Sequence, residues 1–137
     1  MPYFNFYAGV YEFFSHLDLA FKSLWRYVPN RYYLIISLVL QLLAWFQAIS
    51  IKNSLSGELL VLRYKIDFGA NLVGNPNLVL IYPLFSLLVI LFNILLVLIL
   101  SRHKNFRLFS QLLLGSALSF AALTSLYLLS VYLVNFR

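Results

Sequence analysis

Three long apolar runs that contain no charged side chain constrain the fold of this chain more than any other feature of its sequence. They cover about residues 32–49, 78–100 and 108–134. A helix needs roughly 20 apolar residues to cross a hydrocarbon core of about 30 Å. Backbone polar groups find no water in lipid, so each run must form a helix that satisfies them internally. The sequence therefore predicts three transmembrane helices.

The remaining composition excludes several classes of protein. Hydrophobic residues make up 63% of the 137 residues and charged residues only 10%, whereas soluble proteins have about 45–50% and about 25%. The chain has no cysteine, which excludes disulfides, thiolate nucleophiles and cysteine metal sites. The formal net charge is +6, but the cations flank the apolar runs, where lipid headgroups lie. We therefore expect this charge to meet the lipid bilayer and not nucleic acid.

Residues 10–25 have the pattern of an amphipathic helix. Apolar side chains recur at steps of three and four, while polar and charged side chains fill the opposite side. The apolar positions are Val10, Phe13, Phe14, Leu17, Ala20, Phe21 and Leu24. Flanking tyrosine and tryptophan side chains favour the headgroup boundary. We expect this helix to lie in the plane of the membrane and to be broken by Pro29 and Asn30 before the first span.

An alternating pattern follows the first span. Between residues 60 and 68, apolar and polar side chains largely alternate, which is typical of a strand with one buried face. A second short apolar stretch ends in turn-forming residues at 74–77. The pattern predicts a strand-like, β-hairpin-like loop. Arg63, Lys65 and Asp67 share one face of it, and two interpretations remain open: a solvated face with internal salt bridges, or a site for an anionic headgroup or partner.

These elements predict an all-α transmembrane fold. It is a three-helix membrane bundle with an N-terminal interfacial amphipathic helix and a short strand-like outward loop. The predicted segments, in chain order, are the interfacial helix at 1–30, the first transmembrane helix at 31–52, the outward loop at 53–77, the second transmembrane helix at 78–101, a basic cytoplasmic turn at 102–107 and the third transmembrane helix at 108–137.

Amide side chains inside the predicted spans are costly to bury in hydrocarbon without partners, and we single out three of them. They are Gln41, Gln47 and Asn93, and interhelical hydrogen bonds of this kind contribute about 0.6–2 kcal/mol each. Two interpretations remain open, since these amides either hold helices together or line a polar path for a solute. No acidic, basic or histidine side chain accompanies them in the apolar runs at 32–49, 78–100 and 108–134, which argues against proton-coupled transport.

The third span is rich in small residues, and Gly115, Ser119 and Ala122 are the predicted helix-interface positions. Small side chains let helix backbones approach closely where lipid provides no hydrophobic driving force. The pattern predicts that this helix packs closely, either on the first two spans or on a neighbouring subunit.

The sequence shows no constellation typical of catalysis or of metal binding. A catalytic site needs a nucleophile or a tuned acid and base within hydrogen-bond reach, and the outward loop offers one candidate base, Asp67, beside two cations. His16 and His103 lack an evident second ligand, whereas a metal site needs several. We therefore expect a protein that is not an enzyme and that binds neither a metal nor a cofactor.

The stretch at residues 61–74, with an aspartate-phenylalanine-glycine triplet at 67–69, resembles a segment of a family of uncharacterised small bacterial membrane proteins. In that family an outward loop of this kind precedes two further spans, and residues 58–137 fit this layout. Arg63 and Lys65 stand where the family has histidine-like and asparagine-like residues. The resemblance implies the three-span architecture and a multi-pass location in a bacterial inner membrane, and it implies no chemistry.

The function that these features favour is that of a small non-enzymatic membrane protein. It would be a structural or accessory subunit that associates with other membrane subunits, either copies of itself or different chains. The alternative is a homo-oligomeric channel or transporter component, with a path lined by Gln41, Asn93 and hydroxyl side chains.

Lysine and arginine residues beside the spans predict the orientation, because cationic loops tend to stay in the cytoplasm. Six lie on one side, namely Lys22, Arg26, Arg31, Arg102, Lys104 and Arg107. Four lie on the other side, namely Lys52, Arg63, Lys65 and Arg137. The excess predicts a cytoplasmic N-terminus, an outward loop and an outward C-terminus.

We expect a reporter that is active only in the cytoplasm to be silent when it is fused after Arg137. The reason is that the cationic turn at 102–107 holds the other end of the third span in the cytoplasm. The control is the same reporter inserted after Lys104, which should be active. Activity of the C-terminal fusion would contradict the predicted orientation.

Overall fold

The computed structural model describes residues 2–54, 60–65 and 69–136, with side chains described for 7–12, 14–54 and 74–136. Its helices are α1 (Pro2–Arg26), α2 (Val28–Ser54), α3 (Ile81–Ile99) and α4 (Phe106–Phe136), and its strands are β1 (Leu60–Lys65) and β2 (Gly69–Gly74). Short 3-10 helices, Pro76–Leu80 and Leu100–Arg102, extend α3 at both ends. Most of the described chain is therefore helical.

The structure confirms three helices that are long and apolar enough to cross a membrane. These helices cover Val28–Ser54, Pro76–Arg102 and Phe106–Phe136. At about 1.5 Å per residue, each exceeds the length that a hydrocarbon core of about 30 Å requires. The chain is a multi-pass membrane protein by the length and composition of its helices.

The break between α1 and α2 lies earlier than the sequence predicts. The helix pauses at Tyr27, and α2 begins at Val28, whereas Pro29 and Asn30 were the predicted break before a span starting at residue 31. Pro29 instead occupies the first turn of α2, where a missing N–H costs nothing because that position has no intrahelical acceptor. The backbone N–H of Asn30 donates to the carbonyl of Tyr27 at 3.2 Å.

The first two spans each bury one stripe of residues spaced alternately by three and four. In α2 the stripe is Asn30, Leu34, Ser37, Gln41, Ala44, Ala48 and Ile51. In α3 it is Pro83, Ser86, Ile90, Asn93 and Val97. This spacing is that of helices packed side by side along a shared seam. The stripes therefore define which face of each span lies inside the bundle.

The fourth helix is the centre of the bundle, since α4 packs against both α2 and α3, while α2 and α3 touch each other less. Its buried stripe contains Leu114, Ala117, Ala121 and Leu128. Ala117 and Ala121 pack with Ile90 at the middle of the bundle. Small side chains at that point let the helices approach closely.

The two ends of the bundle differ. At one end, which we call the turn end, α1 meets α2 and the 3-10 helix Leu100–Arg102 leads to α4. The core there contains Leu24, Leu34, Val97, Phe106 and Leu114. At the other end, the hairpin end, the core contains Ala44, Ala48, Ile51, Val79, Leu128 and Val131.

Helix α1 packs on the turn end through a narrow stripe. It contacts α2, α3 and the 3-10 helix Leu100–Arg102. Among its described side chains, Ala20 and Leu24 are buried, whereas Tyr11, Phe14 and Phe21 are exposed. Most of its large apolar side chains therefore face away from the bundle, and its position in the membrane plane remains a prediction.

Strands β1 and β2 pair antiparallel, with Leu60 opposite Gly74 and Lys65 opposite Gly69. The register shifts on both sides of Arg63, so the pairing departs from a regular ladder there. The backbone of β1 also contacts α4. The side of the membrane on which this pair lies remains a prediction.

Candidate functional site

Gln41 joins the first two spans from inside the bundle. Its side chain is buried, and its amide Nε2 donates to the carbonyl of Pro83 at 2.7 Å. Pro83 lies in the first turns of α3, so the bond connects the middle of α2 to the start of α3. The predicted intramembrane amide therefore has a partner on another helix.

Asn93 is buried in α3 and makes two contacts of different kinds. Its Nδ2 donates to the carbonyl of Val89 in its own helix at 2.9 Å. Its Oδ1 accepts from the hydroxyl of Ser116 in α4 at a longer 3.4 Å. Ser116 also donates to its own Leu113 carbonyl at 2.8 Å. The interhelical contact of Asn93 is therefore the weaker of its two bonds.

Gln47 connects α2 to α4 near the hairpin end. Its Oε1 accepts from the hydroxyl of Ser125 at 3.3 Å. Gln47 is half-buried and Ser125 is buried. The three predicted amides, Gln41, Gln47 and Asn93, thus lie on three different helix pairs, and each has its own partner there.

Asn30 is a buried polar residue that the sequence interpretation missed. It is 0% exposed, and its Nδ2 lies 3.1 Å from the hydroxyl of Ser110 and 3.4 Å from the carbonyl of Leu24. Ser110 also donates to the carbonyl of Arg107. One side chain thus joins α1, α2 and α4 at the turn end. The neighbouring Pro29 made Asn30 resemble a turn residue, but its three-and-four spacing to Leu34 marks it as part of the buried stripe.

Two oxygens inside the bundle are buried without a hydrogen-bond partner in the described part of the chain. They are Oε1 of Gln41 and Oγ of Ser86. Ser86 belongs to α3, one turn after Pro83, which receives the amide of Gln41. The hydrogen-bonding capacity of Gln41 is therefore only partly used, and Ser86 adds a second unpaired oxygen on the buried stripe of α3.

The predicted interface residues of the third span do not face the other two spans. Ala117 and Ala121 are each 1% exposed and pack inside the bundle. Gly115, Ser119 and Ala122 share a different face of α4. Ser119 is exposed, and a Cβ added at Gly115 would meet nothing within 4 Å. The glycine-serine-alanine face is therefore an outer face of α4.

Aromatic side chains and cations gather where α1 meets α2. Nε of Arg31 donates to the carbonyl of Trp25, and its guanidinium lies over the indole ring at 5.7 Å. Lys22 forms an exposed salt bridge of 2.6 Å with Asp18, a kind that contributes little stability. These contacts hold basic groups at the surface of the turn end.

The predicted loop residues fall where the side chains are not described. Arg63 and Lys65 belong to β1, with their backbones opposite Leu72 and Gly69. Asp67 lies outside the described residues. The two interpretations of this face therefore both remain predictions.

Within residues 2–54, 60–65 and 69–136, no three histidine, aspartate or glutamate side chains come together as a metal site would need. The ring of His103 stacks edge-on against Phe109, and His16 contacts Arg102. The two histidines therefore have separate partners.

The chain matches no protein-family model, no curated protein and no solved structure. The resemblance of residues 58–137 to uncharacterised bacterial membrane proteins therefore stays a prediction.

We expect Asn30 and Ser110 to be energetically coupled. Asn30→Leu and Ser110→Ala should each lower the free energy of unfolding in detergent, and a double-mutant cycle should give a coupling of about 0.6–2 kcal/mol. As the control, Asn30→Leu combined with Ser116→Ala should be additive within about 0.5 kcal/mol, because those residues share no partner. Additivity in the Asn30 and Ser110 cycle would contradict the contact.

Proposed function

We propose that this chain is a non-enzymatic structural or accessory subunit of a membrane assembly, and that it associates through the outer face of α4. The proposal rests on one observation. The face with Gly115, Ser119 and Ala122 carries small and hydroxyl side chains, yet α2 and α3 pack on a different face of the same helix. A helix from another subunit can approach such a face closely.

The size of the side chains on this face favours another helix as its neighbour. The lipid-facing side chains of α3 include Leu84, Leu88 and Phe92, all large and apolar, as expected where acyl chains are the neighbours. The outer face of α4 also carries large apolar side chains, among them Leu112 and Leu126, but Gly115 and Ser119 place small residues between them. Close backbone contact in a membrane depends on this substitution of small for large residues.

The buried positions of Gln41 and Asn93 favour a structural role for these amides. They do not favour a role in lining a solute path between subunits. Gln41 is 4% exposed and Asn93 is 8% exposed, and both are covered by neighbouring spans of the same chain. A path formed between copies of the chain would be lined by outward side chains. The internal amides thus serve the packing of one bundle in this proposal.

The two ends of the bundle differ in charge, and this difference gives the proposed orientation of the chain in the membrane. The turn end, with its cations, lies at the cytoplasmic face of a bacterial inner membrane, because basic loops tend to stay there. Helix α1 lies along that face with its exposed aromatic side chains in the headgroup region. The strand pair at the hairpin end then forms an outward loop.

We expect Gly115→Ile to abolish the association without unfolding the protein. The isoleucine side chain meets no other part of this chain, because nothing lies within 4 Å of the added Cβ. It would, however, keep a partner helix from approaching α4 closely. The measurement is cross-linking in native membranes, followed by size-exclusion chromatography with light scattering in a mild detergent. Wild-type protein should be oligomeric or co-purify with a partner.

The matched control is Gly9→Ile in α1, where an added Cβ also meets nothing within 4 Å. This variant should assemble as the wild type does. Ala121→Ile, which places bulk inside the bundle, should instead lower stability. A wild-type chain that is monomeric in membranes, or an unchanged assembly in Gly115→Ile, would contradict the proposal.

A further inference from the structure

A groove of about 750 Å³ lies between α1 and α3 at the turn end. This volume is within the range of about 300–1,000 Å³ that small-molecule sites occupy. Leu91, Leu95 and Leu98 of α3 line one wall, and Leu17 and Ala20 of α1 line the other. The groove is therefore apolar along its length, with walls from two helices.

The length of the groove matches one leaflet of a bilayer. It extends along the α3 segment from Leu91 to Arg102, which at about 1.5 Å per residue spans roughly 16 Å. Half of a hydrocarbon core of about 30 Å is about 15 Å. An acyl chain that enters at the membrane surface would thus have an apolar wall down to the middle of the bilayer.

The mouth of the groove carries a cation. Arg102 lies at the mouth with His16 of α1, and its Nη2 is 2.7 Å from Nδ1 and 3.0 Å from Nε2 of that ring. Because arginine has donors only, a ring nitrogen of His16 is the acceptor in this contact. The contact uses one of the guanidinium nitrogens, so further N–H groups remain to bind a phosphate, for which the planar guanidinium suits bidentate contacts.

The surroundings of the mouth favour an anion. The cations of the turn end are Lys22, Arg26, Arg31, Arg102, Lys104 and Arg107. The acidic side chains described near them are those of Glu12 and Asp18, and Asp18 already pairs with Lys22. The local field is therefore positive, and it complements an anionic headgroup.

We propose that this groove binds one phospholipid with an anionic headgroup. The phosphate lies against Arg102 and His16 at the mouth, and one acyl chain follows α3 past Leu98 and Leu95 toward Leu91. The lipid fills the space between α1 and α3 and thereby holds α1 on the bundle. This site is separate from the outer face of α4 and does not depend on assembly.

The test compares two lipids of identical acyl chains, phosphatidylglycerol and phosphatidylcholine, added to the purified chain in detergent. Native mass spectrometry should show one retained phosphatidylglycerol and weaker binding of phosphatidylcholine. Arg102→Gln should lower the affinity for phosphatidylglycerol about tenfold or more, because it removes charge-assisted hydrogen bonds. Lys104→Gln, which removes the same charge from an exposed residue outside the groove, should change it less than threefold, about the effect of a surface charge.

A second pair of variants tests the apolar part of the site. Leu95→Trp should fill the groove and weaken the binding of both lipids, whereas Leu84→Trp, also on the exposed surface of α3 but outside the groove, should not. Glycerol phosphate without acyl chains should not compete. Equal losses in Arg102→Gln and Lys104→Gln, equal binding of the two lipids, or an unaffected Leu95→Trp variant would each overturn the proposal.

Discussion

One physical constraint governs the packing of this protein: lipid provides no hydrophobic driving force that would bring its helices together. Acyl chains solvate leucine side chains as well as another helix does, so helix contact needs close van der Waals approach and hydrogen bonds. The three buried stripes meet this requirement. Ala117 and Ala121 provide close approach at the centre of the bundle, while Gln41, Gln47 and Asn30 provide hydrogen bonds to neighbouring helices.

The sequence alone predicts those features that follow from the need of each chemical group to be stable in lipid. Uncharged runs of adequate length can exist in a membrane only as spanning helices, and the three spans are confirmed. Amides in such runs need partners, so Gln41 could be singled out before its contact with Pro83 was known. These predictions required no knowledge of how the helices are arranged.

Features that depend on the arrangement of the helices could not be predicted in the same way. Small residues occur around much of α4, and their number does not reveal that Ala117 faces inward while Gly115 faces outward. Pro29 and Asn30 have the composition of a turn, yet the first turn of a helix accepts proline equally well. The groove between α1 and α3 has no sequence signature, because its walls come from segments far apart along the chain.

Helix α4 packs on α2 through one face and leaves the Gly115 face without close contacts inside the chain. The absence of native cysteines allows a direct test with a short bifunctional thiol reagent. Gln47→Cys paired with Ser125→Cys should cross-link within one chain, since the native side chains are 3.3 Å apart. Gln47→Cys paired with Leu126→Cys should not, since Leu126 lies at nearly the same depth but is 62% exposed. Efficient cross-linking of the Leu126 pair, or none of the Ser125 pair, would contradict this packing.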